Sequence, residues 1–423
     1  MTTALVVSPL FPFDERVVHG VYQRLGKQVE ALARVVDRVD CLFLVAAQRQ
    51  TEVSSPEQIR GHEERLQRRW TPKVALTLAP VAKGGGTTRW EVYGRGIFDF
   101  YSHELVSAVN NDAAYQAVRV ALRAGPDLIC AHRLPAMSVL MRLSREVGGT
   151  PVFFDLDDIE HIALSRQLLR DPELPTERLK LLQVPRLLLA EIQAVHHARL
   201  TFVCSESDRR YLRRLACSSR IEVVENSTHF PATIGTGASE PIVVFVGFLR
   251  YAPNVLAADT LVRDIWPLVH ARVPGARLII AGRYPEVLKS YPATDPSVTF
   301  AGFVDDLAEL YAKARLVCCP ILNGGGTRIK IIEAAAHARA VVATPLAAEG
   351  LTFRDGTDIV LRDTVEGLAA ACVQLLQDPS LAVRLGLAAR ERAIATYEHG
   401  TVVARLERLF RNRTRCNAGA FPA

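Results

Sequence analysis

"NGGGTRIKIIEAAAHARAVVATPLAAEG", residues Asn323 to Gly350, sets three glycines in a row and two bases ahead of an alanine-rich apolar run that holds a single glutamate, Glu333. The preceding "LVCCPI" reads as a strand and "RIKIIEAAAHA" as a helix, so the glycines fall where backbone N–H groups cluster at a helix N-terminus. Such a turn suits an anion. Gly324, Gly325 and Gly326 let a ligand approach the backbone as far as Thr327, Arg328 and Lys330 add positive charge, and Glu333 follows one turn beyond Lys330. A carboxylate there can grip vicinal hydroxyls of a sugar or ribose. The stretch is neither a Walker loop, which needs Gly-Lys-Ser/Thr, nor the Gly-x-Gly-x-x-Gly fingerprint. The plain alternative is a flexible turn with two solvated bases. Against it, a glutamate inside a packed apolar helix needs a partner.

Working outward, β-branched runs alternate with helical periodicity almost from end to end, the pattern of parallel sheets covered by helices on both faces. Strands are expected at "TALVVSP", "RVDCLFLV", "DLICAH", "PVFFDL", "LTFVCS" and "IEVVEN", with helices at "VVHGVYQRLGKQVEALARV" and from Thr176 to Ala198. The stretch "NSTHFPATIGTGASEP" has no periodicity and reads as a linker. After it the alternation restarts with "IVVFVGFL", a helix opened by Pro253-Asn254, then "ARLIIAGR", "VTFAGF", "LVCCPI" and "AVVATP". The expected organisation is a Rossmann-like domain over 1–232, a linker over 233–241 and a second Rossmann-like domain over 242–397. A helix over 398–412 and a tail over 413–423 follow. Two doubly wound α/β domains facing across a cleft would place the site at the C-terminal ends of their strands.

Composition fits an enzyme of this size. A chain of 423 residues exceeds what one core usually supports, and 49% hydrophobic against 23% charged residues excludes a disordered chain. The net charge of +6 favours anionic company without choosing between nucleotide phosphates, headgroups and nucleic acid. Eight cysteines show no metal spacing and read as reduced thiols of a cytoplasmic protein. The N-terminus, a strand followed by Pro9 and Pro12, lacks the basic leader of a signal peptide.

The second half, through "VVFVGFLRYAPNVLAADTLVRDIWPLVHARVPGARLIIAGRYP" and "VTFAGFVDDLAELYAKARLVCCPILNGGGTRIKIIEAAAHARAVVATPLAAEGL", resembles the donor-binding domain of family-4 glycosyltransferases of GT-B fold. The resemblance implies that Glu333 holds the donor's ribose hydroxyls as the second glutamate of a Glu-x7-Glu motif whose first position is Gly325 here. It implies bases that neutralise the departing diphosphate, for which Arg250 and Lys330 stand in sequence. Arg283 and Val304, at strand ends, are further candidates for phosphate and base contacts. In the first domain it places His132, at the end of "DLICAH", beside the anomeric carbon as a hydrogen-bonding group. Gly20 would sit at a helix start near the phosphate or acceptor, and "HGTVVARLERLFRNR" would be the helix that crosses back.

Asp155-Leu156-Asp157 spells the Asp-x-Asp that binds Mn²⁺ in the unrelated GT-A enzymes, but it lies in the domain opposite the donor site. It is read as acceptor-side or structural hydrogen bonding, and no metal is expected. The basic segments "IRGHEERLQRRW" and "SDRRYLRRL" read either as solvated helix faces or as a dock for an anionic membrane or lipid-diphosphate acceptor. The expectation is therefore a metal-independent, retaining hexosyltransferase at the inner side of the membrane or free in the cytoplasm, without nucleic acid and without a cofactor. A nucleotide diphosphate-sugar would be the donor, and a glycan, lipid-linked or small-molecule acceptor the second substrate. Two rivals are a nucleotide-sugar epimerase of the same fold and a non-catalytic nucleotide-binding subunit.

Overall fold

The computed structural model describes residues 1–13, 20–46, 55–81, 89–170, 175–235, 240–292 and 294–414. The tail expected over 413–423 and half of the expected linker therefore fall largely outside the described residues. The chain forms two compact units, one made of Met1–Glu225 with Val402–Ala423 and the other of Asn226–Thr401.

The first unit is built on a seven-stranded parallel sheet in the order β3-β2-β1-β4-β5-β6-β7. Its strands are β1 (Thr3–Ser8), β2 (Arg38–Ala46), β3 (Val74–Val81), β4 (Leu128–His132), β5 (Val152–Asp157), β6 (Leu200–Val203) and β7 (Ile221–Val223). Strand β1 is buried along nearly all its length, as a central strand covered on both faces must be. Alternate residues feed two cores. Leu5, Val7, Ile129 and Phe154 pack on one side of the sheet. Ala4, Val6, Cys130, Phe153 and Phe202 pack on the other. That second core is completed by Val402, Val403, Leu406 and Phe410 of the last helix, His399–Thr414. Phe410 meets Phe153 edge-on at 5.0 Å and Phe202 at 5.7 Å between ring centroids.

The second unit repeats the design with six strands in the order β10-β9-β8-β11-β12-β13. They are β8 (Ile242–Val246), β9 (Arg277–Ala281), β10 (Val298–Gly302), β11 (Leu316–Cys319), β12 (Ala340–Ala343) and β13 (Val360–Leu361). Fully buried Phe245, Trp266 and Tyr311 are among its largest core side chains.

Strands β3 and β13 are additions to the expected set. The long leucine-rich helix divides, into a 3₁₀ segment Pro175–Gln183 and an α-helix Val184–His197, because Pro185 suits the first turn of a new helix. In each sheet the strand order reverses once beside the first strand: between β1 and β4, and between β8 and β11. At such a reversal the connecting loops leave in opposite directions and open a crevice at the strands' C-terminal ends. The residues that carry chemistry gather at these two points.

Candidate active site

In the second unit, β8 and β11 run side by side in parallel, so the loops leaving their C-terminal ends are neighbours. The loop after β8 carries Arg250 into the helix Ala252–Thr260, and the loop after β11 is the glycine turn leading into the helix Ile329–Ala336. Gly324 and Gly326 take φ of +96° and +69°, which an L-residue adopts only under strain. A Cβ on Gly324 would also stand 3.0 Å from Pro253 Cγ and 3.1 Å from Tyr251 Oη, so glycine here lets the two loops close on each other.

Arg328, expected as an added charge for a ligand, is used otherwise. It is buried, and its guanidinium donates back to the carbonyls of Gly325 and Gly326 and, at 3.4 Å, to that of Asn323. With those carbonyls turned onto the arginine, the loop N–H groups from Gly324 to Arg328 have no backbone or side-chain acceptor among the described residues. Successive amides left without acceptors at a helix start form an anion-binding concavity. Thr327 is fixed by Asn226, whose Nδ2 donates to Thr327 Oγ1 at 2.9 Å.

Lys330 points back over the end of β8. Its Nζ lies 4.3 Å from the centroid of the Phe245 ring and donates to Asn254 Oδ1 at 2.7 Å. Gly247 makes room for it, since a Cβ there would stand 3.1 Å from Nζ. Burial pushes the Lys330 pKa down to about 8, opposed by Cys319 and Glu333 and assisted by Arg328. Asn254 also donates to Phe248 O at 3.0 Å and so ties the lysine to the loop that bears Arg250. No local signal marks Asn254 beyond its place after the helix-opening Pro253.

Arg250 is exposed, with its guanidinium 3.7 Å from the Tyr284 ring centroid. Arg283 is joined to the same loop by Leu249 N–H donating to Arg283 O at 3.3 Å, and its guanidinium lies 4.4 Å from the Phe303 ring centroid. Val304 is half-buried against the cluster of Ile242, Val244 and Ala281. Glu333, one turn past Lys330, is partly buried beside Tyr311, whose phenol is pushed well above its ordinary pKa by burial and by this carboxylate. One sheet edge thus brings together Arg250, Arg283, residues 324–328 and Lys330, with Glu333 just behind them.

The other sequence candidates lie in the first unit. Gly20 is the first residue of the helix Gly20–Ala33. His132 ends β4 at the sheet's reversal beside Ser8, whose Oγ is 3.0 Å from His132 Nδ1. The imidazole is fully buried, 4.0 Å from Asp155, and burial pushes its pKa down to about 4 although Asp155 and Asp157 pull the other way. It is neutral at physiological pH.

Asp155 is held by Arg24, at 2.5 Å from Nη2 and 2.9 Å from Nε, and by Gln28. Its oxygens are committed to these donors. Sequence reasoning missed Arg24 and Lys27, which stand 131 residues from Asp155 and 198 from Glu225 respectively. Asp157, Asp158 and Cys204 bring ligand-type atoms within 4.8 Å of one another. Arg24 Nε at 3.4 Å from Asp157 and Arg133 Nη2 at 3.9 Å from Asp158 already supply positive charge there.

Comparison with known proteins fits this arrangement. Residues 240–378 match the family described as Glycosyl transferases group 1. A phosphatidyl-myo-inositol mannosyltransferase of Mycolicibacterium smegmatis is 33% identical over 218 residues, which make up 49% of this chain and 55% of that protein. The chain therefore spans little more than half the length of this curated relative. Sucrose-phosphate synthase from Thermosynechococcus elongatus superposes with a TM-score of 0.69 at 18% identity, over 99% of this chain and 100% of that one. The Anabaena protein HepE, solved with UDP and glucose, gives a TM-score of 0.63 at 13% identity, over 97% of this chain and 100% of that one. The fold is GT-B.

Proposed function

We propose that this chain, which matches the group 1 glycosyl transferases across its second unit and has the GT-B fold throughout, transfers a sugar from a nucleoside diphosphate-sugar to an acceptor. The observation that carries the reading is the turn at residues 324–328, whose carbonyls face Arg328 and whose amides lack acceptors, beside the cationic Lys330. A diphosphate fits that pairing of amides and cation. The relative's name speaks of a mannosyl group and HepE was solved with UDP, which supports a hexosyl donor on a nucleotide.

In this reading Lys330, Arg250 and the turn's amides stabilise charge as it builds on the departing diphosphate, an electrostatic contribution made by groups already in place. Glu333 accepts from the ribose hydroxyls, and Arg283 and Val304 border the nucleotide. His132, neutral and held by Ser8, has its Nε2 buried 4.0 Å from Asp155 and fixes the sheet edge of the first unit at its reversal; a role toward the donor sugar rests on the family resemblance alone. Gly20 serves the same edge. Retention of configuration follows from the family resemblance, and the acceptor is a glycan, a lipid-linked sugar or a small molecule. No metal or cofactor is assigned, because Arg250 and Lys330 supply the charge a cation would otherwise bring. Among the described residues no helix is long and apolar enough to cross a membrane, and an acceptor in a membrane would be met at its surface.

The test is a thermal-shift screen of UDP- and GDP-sugars followed by turnover with the stabilising donor, with and without EDTA. A ligand that binds only the folded state raises the melting temperature as its concentration passes Kd. Glu333→Gln should weaken that donor by about 1.5–3 kcal/mol, the range for a hydrogen bond to a charged group, with the melting temperature of the free protein unchanged. Epimerised sugar formed without any acceptor would replace the transferase reading. Activity lost in EDTA and restored by Mn²⁺ would return a metal to the mechanism.

A further inference from the structure

The helix Pro379–Tyr397 of the second unit buries one side and leaves the other bare. Ala382, Leu385, Gly386, Ala389, Ala393 and Tyr397 face the core. On the outer side Ser380, Arg384, Leu387, Glu391 and Ile394 follow one another at spacings of four, three, four and three residues, every one of them exposed. That four-three spacing lines the five side chains up as one stripe along the helix, the spacing at which a helix meets a partner helix. Its apolar members are large: Leu387 is 48% exposed, Ile394 43%, and Val383 alongside them 39%.

The charges within the seam say what covers it. Arg384 and Glu391 are opposite in sign and stand equally far from the point between Leu387 and Ala388. They are seven residues apart, about 10.5 Å along the axis at 1.5 Å per residue. An identical helix laid antiparallel about a two-fold axis through that point puts each Arg384 opposite the other copy's Glu391. Two ion pairs then flank an apolar contact centred on Leu387, which is the self-complementary pattern an isologous interface requires. A parallel pair would set arginine on arginine and glutamate on glutamate. An anionic lipid surface would meet Glu391 in the middle of the seam.

We propose that this face pairs with a second copy of the chain, antiparallel, through Val383, Leu387 and Ile394 with reciprocal Arg384–Glu391 contacts. The pairing rests on the second unit's outer surface and is independent of the transferase reading.

Sedimentation velocity over a concentration series, on the full chain and four variant samples, tests it. The wild type should shift from monomer to dimer as concentration rises. Arg384→Glu and Glu391→Arg alone each set like charges opposite one another twice and should raise the dimer dissociation constant roughly tenfold or more, since like-charge juxtaposition costs several kcal/mol. The double variant should regain the wild-type constant, and an equimolar mixture of the two single variants should form a heterodimer. Both substituted positions are exposed, so melting temperatures of all three variants should match the wild type. A wild type that stays monomeric, single reversals that leave the dimer intact, or a double variant that fails to recover it would each overturn the proposal.

Discussion

Lys330 shows how a residue's setting decides its chemistry. The ammonium is partly buried against Phe245 and held by Asn254, and with a pKa near 8 it is protonated below that value and loses its charge above it. If it neutralises the leaving diphosphate, kcat/KM, which reports the free enzyme, should fall as pH rises through about 8, the opposite direction from a lysine acting as a base. Asn254→Asp places a carboxylate beside the ammonium, favours the charged form and should move that falling limb to higher pH. Lys330→Ala should lower kcat/KM by on the order of 10²–10³ and change donor affinity less, because the interaction grows as charge develops. A pH–rate profile measured alongside donor titrations separates these outcomes. A flat alkaline limb in the wild type would remove Lys330 from the reaction. Lys330 and Glu333 could be singled out in sequence because polar residues at a helix start behind three glycines have a chemical reason to be there. Asn254 could not, since its partner lies 76 residues away.

At the scale of elements, the glycine turn is held from inside by Arg328 and from outside by the loop at Tyr251 and Pro253. Two substitutions should therefore disturb binding without touching a nucleotide. Gly324→Ala forces a Cβ into a left-handed position against Pro253, at a cost of about 1–2 kcal/mol from the backbone alone. Arg328→Lys replaces a forked donor by a point charge that cannot hold several carbonyls together. Both should weaken nucleotide affinity in calorimetric titration, and an unchanged constant in both would mean that the turn's shape is irrelevant to the ligand. The parallel strands were legible because strands buried on both faces read as unbroken apolar runs. Strand β3 was not: Pro80 interrupts "VALTLAPV", and proline is tolerated there because β3 is the sheet's edge. Strand β13, two residues long, carries no periodicity to detect.

At the scale of the whole molecule, the first unit keeps a buried polar cluster of Ser8, Arg24, Gln28, His132 and Asp155 where its sheet reverses. Its pairings join residues more than a hundred positions apart, which is why the sequence could suggest His132 and Asp155 but not their common neighbour Arg24. The cluster makes the unit sensitive to acid. His132 titrates near 4 in the folded chain and near 6.5 unfolded, so the unfolded chain binds the extra proton first and stability falls as pH drops from about 6.5 to about 4. The shift corresponds to about 3 kcal/mol, at about 1.4 kcal/mol per pH unit. Amide exchange of β4 and β5 followed over that range should show it, and His132→Gln should flatten the dependence. A wild-type profile without slope between those values would contradict the buried, neutral imidazole.

The packing of Val402, Leu406 and Phe410 beside Phe153 and Phe202 has a consequence for biosynthesis. The second unit occupies one unbroken segment, Asn226–Thr401, while the first is assembled from the two ends of the chain. A ribosome makes Phe153 and Phe202 well before the helix His399–Thr414 that covers them. While Asn226–Thr401 is being made, the first unit waits with an open aromatic face. A nascent chain that has emerged only as far as Thr401 would hold a complete second unit and an unfinished first, which makes that aromatic face the natural place for a chaperone to hold and for a protease to begin.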